Sequence, residues 1–391
     1  MNSSFNRYKV ELTQLEEQGM LRAIPEIDGQ GKYIMLNGKR LLNLSSNDYL
    51  GIFERKELKA EFLEKFACNN SELPHFSSAS SRLLTGNNAA STQLEELLAQ
   101  KYGKESALIF NSGYHANTGI LPALCSKESF IIADKFVHAS IIDGIKLSGR
   151  EYIRFKHNNI VHLRNILKKE YNNYSQIFIV TEGIFSMGGD RGIIKEIVEL
   201  KEEFPNCVIY VDEAHSFGVC GEGGLGIAQE QGVLDKVDII IGTFGKAISS
   251  VGAYAVMPKV IREYLVNKMR PLIFSTSLPP INIEWSKFII EKLESFTKER
   301  AYLREISKLL SSSLGEYGES ASHIITYVTG SAESAVTLSK ELREKGIYAL
   351  PVRPPTVAEG SSGVRISLTA AVEKGEILEI LEILNQVKND V

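Results

Sequence analysis

Five short apolar runs, separated by stretches with helical spacing, constrain the fold of this chain more than any other feature of its sequence. The runs cover residues 107–110, 130–133, 177–180, 208–211 and 237–241. Apolar strands of this length that alternate with amphipathic helices, such as those expected over 91–102 and 193–204, are typical of a parallel sheet covered on both faces. We therefore predict an α/β fold with a mostly parallel central sheet.

The 391 residues are enough for two or three domains, and the patterning around the sheet suggests three parts. Residues 1–44 are expected to form an N-terminal arm. Residues 45–284 form the predicted large domain, which contains the sheet. Residues 285–391 form a predicted smaller C-terminal α+β domain.

Hydrophobic spacing predicts further elements in the arm and in the C-terminal part. In the arm, a helix is expected over 7–19 and a hairpin over 33–42, with Asn37-Gly38 as its turn. The apolar face of that first helix comprises Tyr8, Leu12 and Leu15. In the C-terminal part we expect a long helix over 285–314, strands at 324–328 and 364–368, and a last helix at 374–387.

Composition and charge exclude several classes of protein. The chain is 43% hydrophobic and 24% charged, which excludes a disordered chain. Its 44 basic and 48 acidic residues give a net charge of −4, so no bulk attraction to nucleic acid or to an anionic membrane is expected. The N-terminus lacks the apolar core of a signal peptide, and no run of about 18 apolar residues occurs. We expect a cytoplasmic protein without nucleic-acid or membrane partners.

The four cysteines are scattered and form no C-x-x-C pair. They are Cys68, Cys125, Cys207 and Cys220. This spacing predicts neither a zinc site nor a dense disulfide framework, and no other metal site is expected. Cys125 and Cys207 lie in apolar surroundings, so we expect both to be buried free thiols.

Polar residues and glycines follow every one of the five apolar runs. In chain order they are 111–115 (NSGYH), Asp134 with His138, 181–183 (TEG) with Ser186, 212–215 (DEAH) and 242–246 (GTFGK). Ligands of doubly wound sheets bind outside the carboxyl ends of the strands. One site could therefore gather a lysine, a carboxylate, two histidines, hydroxyl groups and flexible backbone.

The residue types in this set point to a defined chemistry, although each has a plainer interpretation alone. Lys246 could be a surface lysine, or an amine activated for a Schiff base. Asp212 ends a very apolar strand and could cap a helix, or face a cation such as a protonated pyridine nitrogen. Gly113 could form a tight turn, or open a helix N-terminus that binds phosphate. His138 and His215 could each be structural.

Two other motifs in the chain are excluded by their surroundings. Residues 212–215 match the DEAH box of helicases, but no G-x-x-x-x-G-K-[ST] loop precedes them to hold nucleotide phosphates. Residues 221–226 fit G-x-G-x-x-G, but they follow a loop rather than a strand and fall late in the sheet. Neither a helicase nor a dinucleotide-binding protein is predicted.

Taken together, the motifs resemble those of the α-oxoamine synthases, a group of fold-type I enzymes that depend on pyridoxal 5′-phosphate (PLP). The matching segments are 43–51 (NLSSNDYLG), 81–86 (SRLLTG), 181–187 (TEGIFSM), 212–215 and 243–246, with a 34-residue step from Asp212 to Lys246. The resemblance runs over nearly the whole chain. It implies an aspartate-aminotransferase-like fold and a PLP cofactor.

The resemblance also implies a role for each residue near the cofactor ring. Lys246 would hold PLP through its amine and later act as a base. Asp212 would pair with the ring nitrogen, and His138 would stack on the ring face. Ser186 and His215 would hydrogen-bond the phenolic oxygen.

The phosphate and the subunit arrangement follow from the same resemblance. Gly113, Tyr114 and Thr243 would hold the phosphate. Enzymes of this group are homodimers with the active site at the interface, so Ser275 or Thr276 of the second copy would complete the phosphate site.

Substrate residues are implied by two C-terminal segments. Residues 352–357 (VRPPTV), which include Arg353, resemble the branch of the family that acts on L-alanine and a pimeloyl thioester in biotin biosynthesis. Arg365 would bind the carboxylate of the amino acid with help from Asn47, because a guanidinium fork suits a carboxylate. Arg22 and Thr356 match positions that contact the acyl substrate or product. The acyl carrier would be coenzyme A or acyl-carrier protein, and the product 8-amino-7-oxononanoate.

Departures from the family pattern leave other reactions open. Ser249 and Ser250 stand where many relatives have glycine, and Glu213 replaces a second aspartate. The nearest alternative is a sister synthase that uses glycine and acetyl-CoA. More distant alternatives are an aminotransferase on the same fold and a binding protein without catalytic activity.

Overall fold

The computed structural model describes residues 3–29, 31–67, 73–318 and 320–389 of the chain, so that Cys68 lies outside the described residues. The strands are β1 (Tyr33–Leu36), β2 (Lys39–Asn43), β3 (Ser106–Phe110), β4 (Ser129–Asp134), β5 (Tyr152–Phe155), β6 (Gln176–Glu182), β7 (Cys207–Asp212), β8 (Ile239–Thr243), β9 (Ala253–Met257), β10 (Ile324–Gly330), β11 (Ile347–Tyr348), β12 (Leu350–Val352) and β13 (Ser362–Ser367). The helices are α1 (Asn6–Glu17), α2 (Lys56–Ala67), α3 (Ala89–Tyr102), α4 (Gly113–Leu124), α5 (Ala139–Ser148), α6 (Ile160–Glu170), α7 (Ile194–Glu203), α8 (Ile227–Glu230), α9 (Lys259–Lys268), α10 (Arg270–Phe274), α11 (Pro280–Glu291), α12 (Thr297–Leu314), α13 (Ala332–Glu344) and α14 (Lys374–Asn389).

The chain packs into two compact units, which we describe separately. The sheet unit comprises residues 55–186 and 190–301, and the terminal unit comprises residues 1–54, 187–189 and 302–391. This grouping by contacts places residues 45–54 with the C-terminal part of the chain and residues 285–301 with the sheet. The three domains expected from the sequence stay a prediction.

The sheet unit is built on a mixed sheet whose strands, in the described part of the chain, run in the order β3-β9-β8-β7-β6-β4-β5. Strands β4 to β8 pair in parallel, whereas β9 is antiparallel to both of its neighbours. All five predicted apolar runs are strands, although the fifth begins at Ile239 and not at residue 237. The α/β class with a mostly parallel sheet is confirmed. The sequence interpretation missed β5 and β9.

Helices α4 and α5 pack closely on one face of this sheet. Ile120 and Ile141 contribute to an apolar cluster that includes strand residues such as Phe178 and Tyr210. A Cβ atom on Gly144 of α5 would lie 2.2 Å from the backbone carbonyl oxygen of Asn117, so only glycine allows this approach of the two helices. The N-termini of both helices are thereby fixed at the carboxyl edge of the strands.

The terminal unit contains two small sheets, ordered β1-β2-β11 and β10-β13-β12. The predicted hairpin is present, and its turn residues Asn37 and Gly38 have φ values of 52° and 75°. A two-residue turn with positive φ at both positions matches the twist of the strands, which is why Asn-Gly is favoured there. The hairpin does not stand alone as an arm, because β11 adds to β2 in parallel.

The predicted helix over 285–314 is wrong as a single element, because the chain breaks between α11 and α12. The guanidinium of Arg300, which is 2% exposed, donates hydrogen bonds at 2.8 Å to the carbonyl oxygens of Leu293 and Glu222. Carbonyl groups freed at a helix end need such donors. The buried arginine therefore stabilises a turn where the hydrophobic spacing alone suggested continuous helix.

The first and last predicted helices are present as α1 and α14, but α1 buries none of its residues. Its apolar face is exposed, with Tyr8 54%, Leu12 52% and Leu15 39% open to solvent. No helix in the described ranges is long and apolar enough to cross a membrane.

Cysteine burial agrees with the sequence in part. Cys207 is buried, as is Cys220, whereas Cys125 is only half-buried. Burial raises the pKa of the Cys207 thiol to about 12, and it raises the pKa of Cys125 to about 12 as well. Both thiols are therefore protonated, unreactive groups at neutral pH.

Candidate active site

The carboxyl ends of β4, β6, β7 and β8 meet at one edge of the sheet, because these strands are parallel neighbours. Glu182 at the end of β6 stands opposite Asp212 at the end of β7. Asp212 in turn stands opposite Ile241 of β8, two residues before that strand ends. The polar segments that follow the strands are thus brought to one place, as predicted.

Asp212 is a buried carboxylate, only 6% exposed, with a donor on each oxygen. Its Oδ1 accepts a hydrogen bond from the backbone N–H of Ala214 at 2.9 Å. Its Oδ2 accepts one from the side-chain amide of Asn117 at 2.8 Å. Because a buried charge is costly without such donors, these bonds fix the carboxylate in one orientation. Each oxygen keeps a further lone pair with which to accept a proton donor from a ligand.

His138 caps helix α5 and leaves its ring accessible. The Nδ1 atom accepts a hydrogen bond from the backbone N–H of Ser140 at 3.2 Å and lies 2.8 Å from the Ser140 hydroxyl. The backbone N–H of His138 donates to the carboxyl group of Glu182. The residue as a whole is nevertheless exposed. An exposed ring held by one edge can stack on a planar ligand.

Lys246 lies in the tight loop between β8 and β9. The loop is closed by backbone hydrogen bonds from Ser249 to Lys246 and from Ser250 to Phe244, both at 2.9 Å, with the buried Phe244 ring as its anchor. Partial burial lowers the pKa of His138, the negative charge of Asp212 opposes this shift, and the positive charge of Lys246 adds to it. The lysine and the aspartate therefore act on the same imidazole, as a shared site requires.

Glu182 and Glu213 are two buried carboxyl groups whose importance sequence reasoning missed. Burial raises the pKa of Glu182 well above its usual range, and the charge of Asp212 raises it further. Burial raises the pKa of Glu213 to about 7, against donors that include the backbone N–H groups of Ile227 and Ala228. Burial therefore disfavours the charged form of Glu182 beside Asp212, and Glu213 holds the first turn of α8.

The structure buries both residues predicted to reach the phenolic oxygen. Ser186 is 8% exposed and lies within the loop that the bridge between Ile184 and Arg191 closes. His215 is 7% exposed and lies in the turn after β7, which the backbone N–H of Ser216 closes onto Glu213 at 3.0 Å. Their predicted role stays a prediction.

Among the residues predicted to bind phosphate, Gly113 leaves space beside a helix N-terminus, whereas the side-chain hydroxyl groups of Tyr114 and Thr243 donate to other groups of the chain. A Cβ atom on Gly113, at the first position of α4, would meet nothing within 4 Å, so the space beside this helix N-terminus is open. The hydroxyl of Tyr114 donates to Asp143 at 2.6 Å, and that of Thr243 donates to the carbonyl of Gly252 at 3.0 Å. The open N-terminus of a 12-residue helix favours an anion.

Ser275 and Thr276 are expected to act from a second copy, and one chain does not test this. Within the chain, Asn111, which directly follows β3, donates to the carbonyl of Thr276 at 2.7 Å. Thr276 also forms a bridge with Ser81. Thr276 thus borders the segment that leads into α4.

The side chains at this edge fit PLP. Lys246 offers an amine for its aldehyde, Asp212 offers an acceptor for its ring nitrogen, and the exposed His138 ring offers a stacking surface. Gly113 leaves open space at a helix N-terminus for the phosphate. Asn117, which joins Asp212 to Ser140, was not predicted; its position one helical turn after Gly113 is the one signal that could have identified it.

In the terminal unit, Asn47 and Arg365 are brought together through Tyr49. The buried Tyr49 hydroxyl donates to Asn47 Oδ1 at 3.0 Å. Burial raises the pKa of Tyr49 to about 12, and the neighbouring Arg365 guanidinium opposes this shift. Arg365 also donates to the Ser367 hydroxyl at 2.6 Å. This arrangement suits the predicted binding of an amino-acid carboxylate.

Arg22, Arg353 and Thr356 form a second cluster in the terminal unit. Arg22 Nη2 lies 3.5 Å from the Thr356 hydroxyl, and Arg353 donates to the carbonyl of Gly19. Burial lowers the pKa of Arg353, and the positive charge of Arg22 lowers it further. Neither guanidinium has an ion-pair partner within the described residues. Two cations held together without an acid suit the binding of an anion, which is the role predicted for this cluster.

Comparison with known proteins supports the sequence resemblance. The profile of the family "aminotransferase class I and II" matches residues 39–384. A protein of Haemophilus influenzae named "Putative 8-amino-7-oxononanoate synthase" is 48% identical over 380 residues, 96% of this chain and 99% of the relative. A protein of Neisseria meningitidis serogroup C with the same name is 48% identical over 375 residues, 95% of this chain and 98% of the relative.

Solved structures share the fold over most of the chain. Serine palmitoyltransferase from S. paucimobilis with a bound PLP–myriocin aldimine superposes with a TM-score of 0.85 and 28% identity, covering 97% of this chain and 96% of that one. An 8-amino-7-oxononanoate synthase from Francisella tularensis gives a TM-score of 0.73 and 29% identity, covering 90% of this chain and 98% of that one. The predicted fold-type I architecture is confirmed.

Proposed function

Because the chain belongs to the aminotransferase class I and II family and, within it, to the PLP-dependent α-oxoamine synthases, we propose that it condenses L-alanine with a pimeloyl thioester. The thioester would be carried by coenzyme A or acyl-carrier protein, and the products would be 8-amino-7-oxononanoate, carbon dioxide and free thiol. The enzyme would thereby serve biotin biosynthesis, in the cytoplasm. The observation that carries this choice of substrate is the pair of arginines, Arg22 and Arg353, without an acidic partner in the described chain.

The residues of the sheet unit account for the first half of the reaction. When bound, PLP supplies an aldehyde that condenses with amines and a ring that withdraws electrons from the α-carbon of the amino acid. Lys246 would hold the aldehyde through Nζ. Asp212, fixed by its two donors, would keep a proton on the ring nitrogen, and His138 would lie against the ring face. Ser186 and His215 would donate to the phenolic oxygen.

Proton transfer is assigned to Lys246. Once its amine is released by the incoming alanine, Nζ would take the proton from the α-carbon of alanine. That carbon would then attack the thioester carbonyl, a C–C bond would form, and the C–S bond would break to release the thiolate, which takes a proton from solvent. After the alanine carboxylate has left as carbon dioxide, Nζ would return a proton to the same carbon.

The terminal unit would bind the carboxylates of both substrates. Arg365, beside Asn47 and Tyr49, would orient the carboxylate of alanine. Arg22, Arg353 and Thr356 would bind the distal carboxylate of the pimeloyl chain. The acetyl group of acetyl-CoA has no carboxylate. The arginine pair therefore favours a pimeloyl thioester over the acyl substrate of the glycine-dependent sister synthase.

We also propose that the enzyme acts as a homodimer. Leu84 and Phe274, which are 78% and 70% exposed, flank the segments that contain Ser81 and Ser275. Large exposed apolar side chains of this kind mark interaction surfaces. A second copy seated there would be consistent with Ser275 or Thr276 reaching the phosphate of its neighbour.

The test is an alanine-dependent release of thiol. The purified holoenzyme is incubated with pimeloyl-CoA or pimeloyl-acyl-carrier protein, with and without L-alanine, and free thiol, carbon dioxide and the mass of the product are measured. We expect equal amounts of thiol and 8-amino-7-oxononanoate only when alanine is present. Turnover of glycine with acetyl-CoA but not of alanine with pimeloyl thioester, or amino transfer to a keto acid without carbon dioxide, would reject the proposal.

A further inference from the structure

We propose that Asn117 is a positioning residue that couples the two groups expected to hold the cofactor ring, Asp212 and His138. The inference rests on the proposed function in so far as those two residues contact PLP. Asn117 lies in α4, is 1% exposed, and belongs to none of the motifs that carried the family resemblance. One side-chain amide reaches both groups at once.

The amide nitrogen of Asn117 has two hydrogens, and the structure uses both. One is donated to Asp212 Oδ2 at 2.8 Å, and the other to the Ser140 hydroxyl at 3.0 Å. A carboxylate oxygen can only accept, so the atom that faces Asp212 must be the nitrogen. The acceptor on Asp212 therefore determines which side of the Asn117 amide carries the nitrogen and which carries the oxygen.

Tyr210 holds the other side of the amide. Its hydroxyl donates to Asn117 Oδ1 at 2.7 Å, and its side chain is fully buried within β7. Burial raises the pKa of Tyr210 well above its usual range, with the charge of Asp212 adding to the shift, so the phenol keeps its proton. Each polar atom of the Asn117 side chain thus has a partner. The resulting series of hydrogen bonds begins at Tyr210 in the sheet and ends at the candidate site.

The path from Asn117 continues through Ser140 to His138. Because the Ser140 hydroxyl accepts from Asn117, its own hydrogen is available to His138 Nδ1 at 2.8 Å. The backbone N–H of Ser140 also donates to Nδ1, at 3.2 Å. An Nδ1 that accepts from both directions carries no proton, so His138 is the neutral tautomer with its proton on Nε2. The ring plane is fixed by the same two bonds.

The network predicts that Asp212 and His138 respond together to changes at Asn117. Loss of the amide frees one oxygen of Asp212 and leaves the Ser140 hydroxyl without the donor that orients it. A buried hydrogen bond to a charged group contributes enough that its removal should weaken PLP binding by about 10- to 100-fold. Loss of the Ser140 hydroxyl alone disturbs only the His138 branch, and its effect should be smaller.

The experiment compares Asn117→Ala, Ser140→Ala, Tyr210→Phe and the double variant Asn117→Ala/Ser140→Ala with the wild-type holoenzyme. For each we measure the dissociation constant of PLP, the pH dependence of the absorption band of bound PLP, and the melting temperature of the apoprotein. Asn206→Ala is the matched control, since this asparagine precedes β7 at the opposite end of the strand, and its side-chain amide donates to the backbone carbonyls of Tyr171 and Tyr174, away from the candidate site.

We expect Asn117→Ala to weaken PLP binding and to shift the pH titration of its absorption band, whereas Asn206→Ala lowers only the melting temperature. Ser140→Ala should weaken binding less in the Asn117→Ala background than in the wild type, because the two residues act along one path. Should Asn117→Ala fail to fold, Tyr210→Phe and Ser140→Ala still decide the question, since each removes one hydroxyl and keeps the volume of the core nearly unchanged.

An Asn117→Ala protein that binds PLP with the wild-type dissociation constant and spectrum, and differs only in melting temperature, would overturn the proposal. Additive effects of Asn117→Ala and Ser140→Ala would overturn the coupling. These results are independent of the substrates. If the wild type binds PLP but does not convert alanine and pimeloyl thioester, the proposed reaction fails while the measurements of PLP binding still test Asn117.

Discussion

The sheet unit and the terminal unit present their charged groups in opposite ways. In the sheet unit, Asp212 and Glu182 are 6% and 2% exposed, and each accepts hydrogen bonds from neighbouring groups. In the terminal unit, Arg22 is exposed and Arg353 is half-buried, and the two cations lie together without an acid in the described chain. The acidic groups of the sheet unit are thus buried and hydrogen-bonded, whereas the arginine pair of the terminal unit is at least partly open to water.

This difference matches the two tasks that we assign to the units. A group that stays bound through the catalytic cycle benefits from fixed donors and acceptors in a site of low dielectric constant. A substrate that must enter and leave in every cycle is better bound by exposed charges, which attract it from a distance and release it readily. The contrast predicts that substitutions in the sheet unit change cofactor properties, whereas those in the terminal unit change substrate affinity.

The largest effect is expected for Lys246→Ala. Without the amine, both the attachment of PLP and the movement of the α-proton are lost, so turnover should fall by about 10²- to 10⁴-fold or more. Borohydride reduction of the wild-type holoenzyme, followed by peptide mass spectrometry, should place an adduct on Lys246 and none on the variant. Lys259→Ala, at an exposed position of the same unit, is the control and should behave as wild type.

The counterpart in the other unit is Arg365→Lys. It should keep the borohydride adduct and the absorption spectrum of the wild type while raising KM for alanine, since an ammonium group cannot form the paired hydrogen bonds of a guanidinium. Loss of the adduct in Arg365→Lys would contradict the assignment of cofactor binding to the sheet unit and of substrate binding to the terminal unit.

Sequence alone predicted the sheet and the residues at its edge because both depend on local patterns. Continuous apolar runs mark buried parallel strands; Asp212 directly follows one of them, and Lys246 comes five residues after the end of another. Strand β9 was missed because it follows the Lys246 loop closely and runs antiparallel to β8, a direction that the alternation of strands and helices does not encode.

The elements that escaped prediction depend on contacts between distant parts of the chain. The role of Asn117 exists only because Gly144 lets α5 approach the backbone of α4, which brings Ser140 within reach. The break before α12 depends on hydrogen bonds from the buried Arg300 to Leu293 and Glu222. Neither relation leaves a periodic signal in the sequence, so hydrophobic spacing could not show it.

A third prediction tests whether the edge of the sheet excludes water to the extent that the burial of its carboxyl groups indicates. Burial raises the pKa of Glu213 to about 7, above its ordinary value of 4.5. The folded protein therefore binds the proton more tightly than the unfolded chain, so this stabilising contribution is full below pH 4.5 and is lost as pH rises through 7. Over that window the free energy of unfolding should fall by about 3 kcal/mol on account of this group.

The measurement is urea unfolding of the apoprotein at several pH values from 5 to 8, for wild type and Glu213→Gln. The glutamine variant cannot titrate, so the difference between the two free energies should change steadily with pH even if the variant is less stable throughout. Using the difference removes the contribution of His138, whose lowered pKa has the opposite sign of effect below pH 6.5. Two parallel curves would mean that Glu213 is charged in the folded protein and that the edge is wetter than we infer.

The smallest effect is expected at the arginine pair, because Arg22 is exposed and Arg353 is only half-buried. For Arg353→Ala we expect KM for pimeloyl-CoA to rise about fivefold, the range of a charge pair in contact with solvent. Heptanoyl-CoA is the matched substrate, since it has the same chain length without the distal carboxylate, and its KM should not change. The difference between the two substrates should also shrink as ionic strength rises, because salt screens exposed charges. An equal rise in KM for both acyl chains would show that Arg353 contacts the carrier or shapes the site and does not bind the distal carboxylate. It would also remove the observation that favours a pimeloyl thioester over shorter acyl groups.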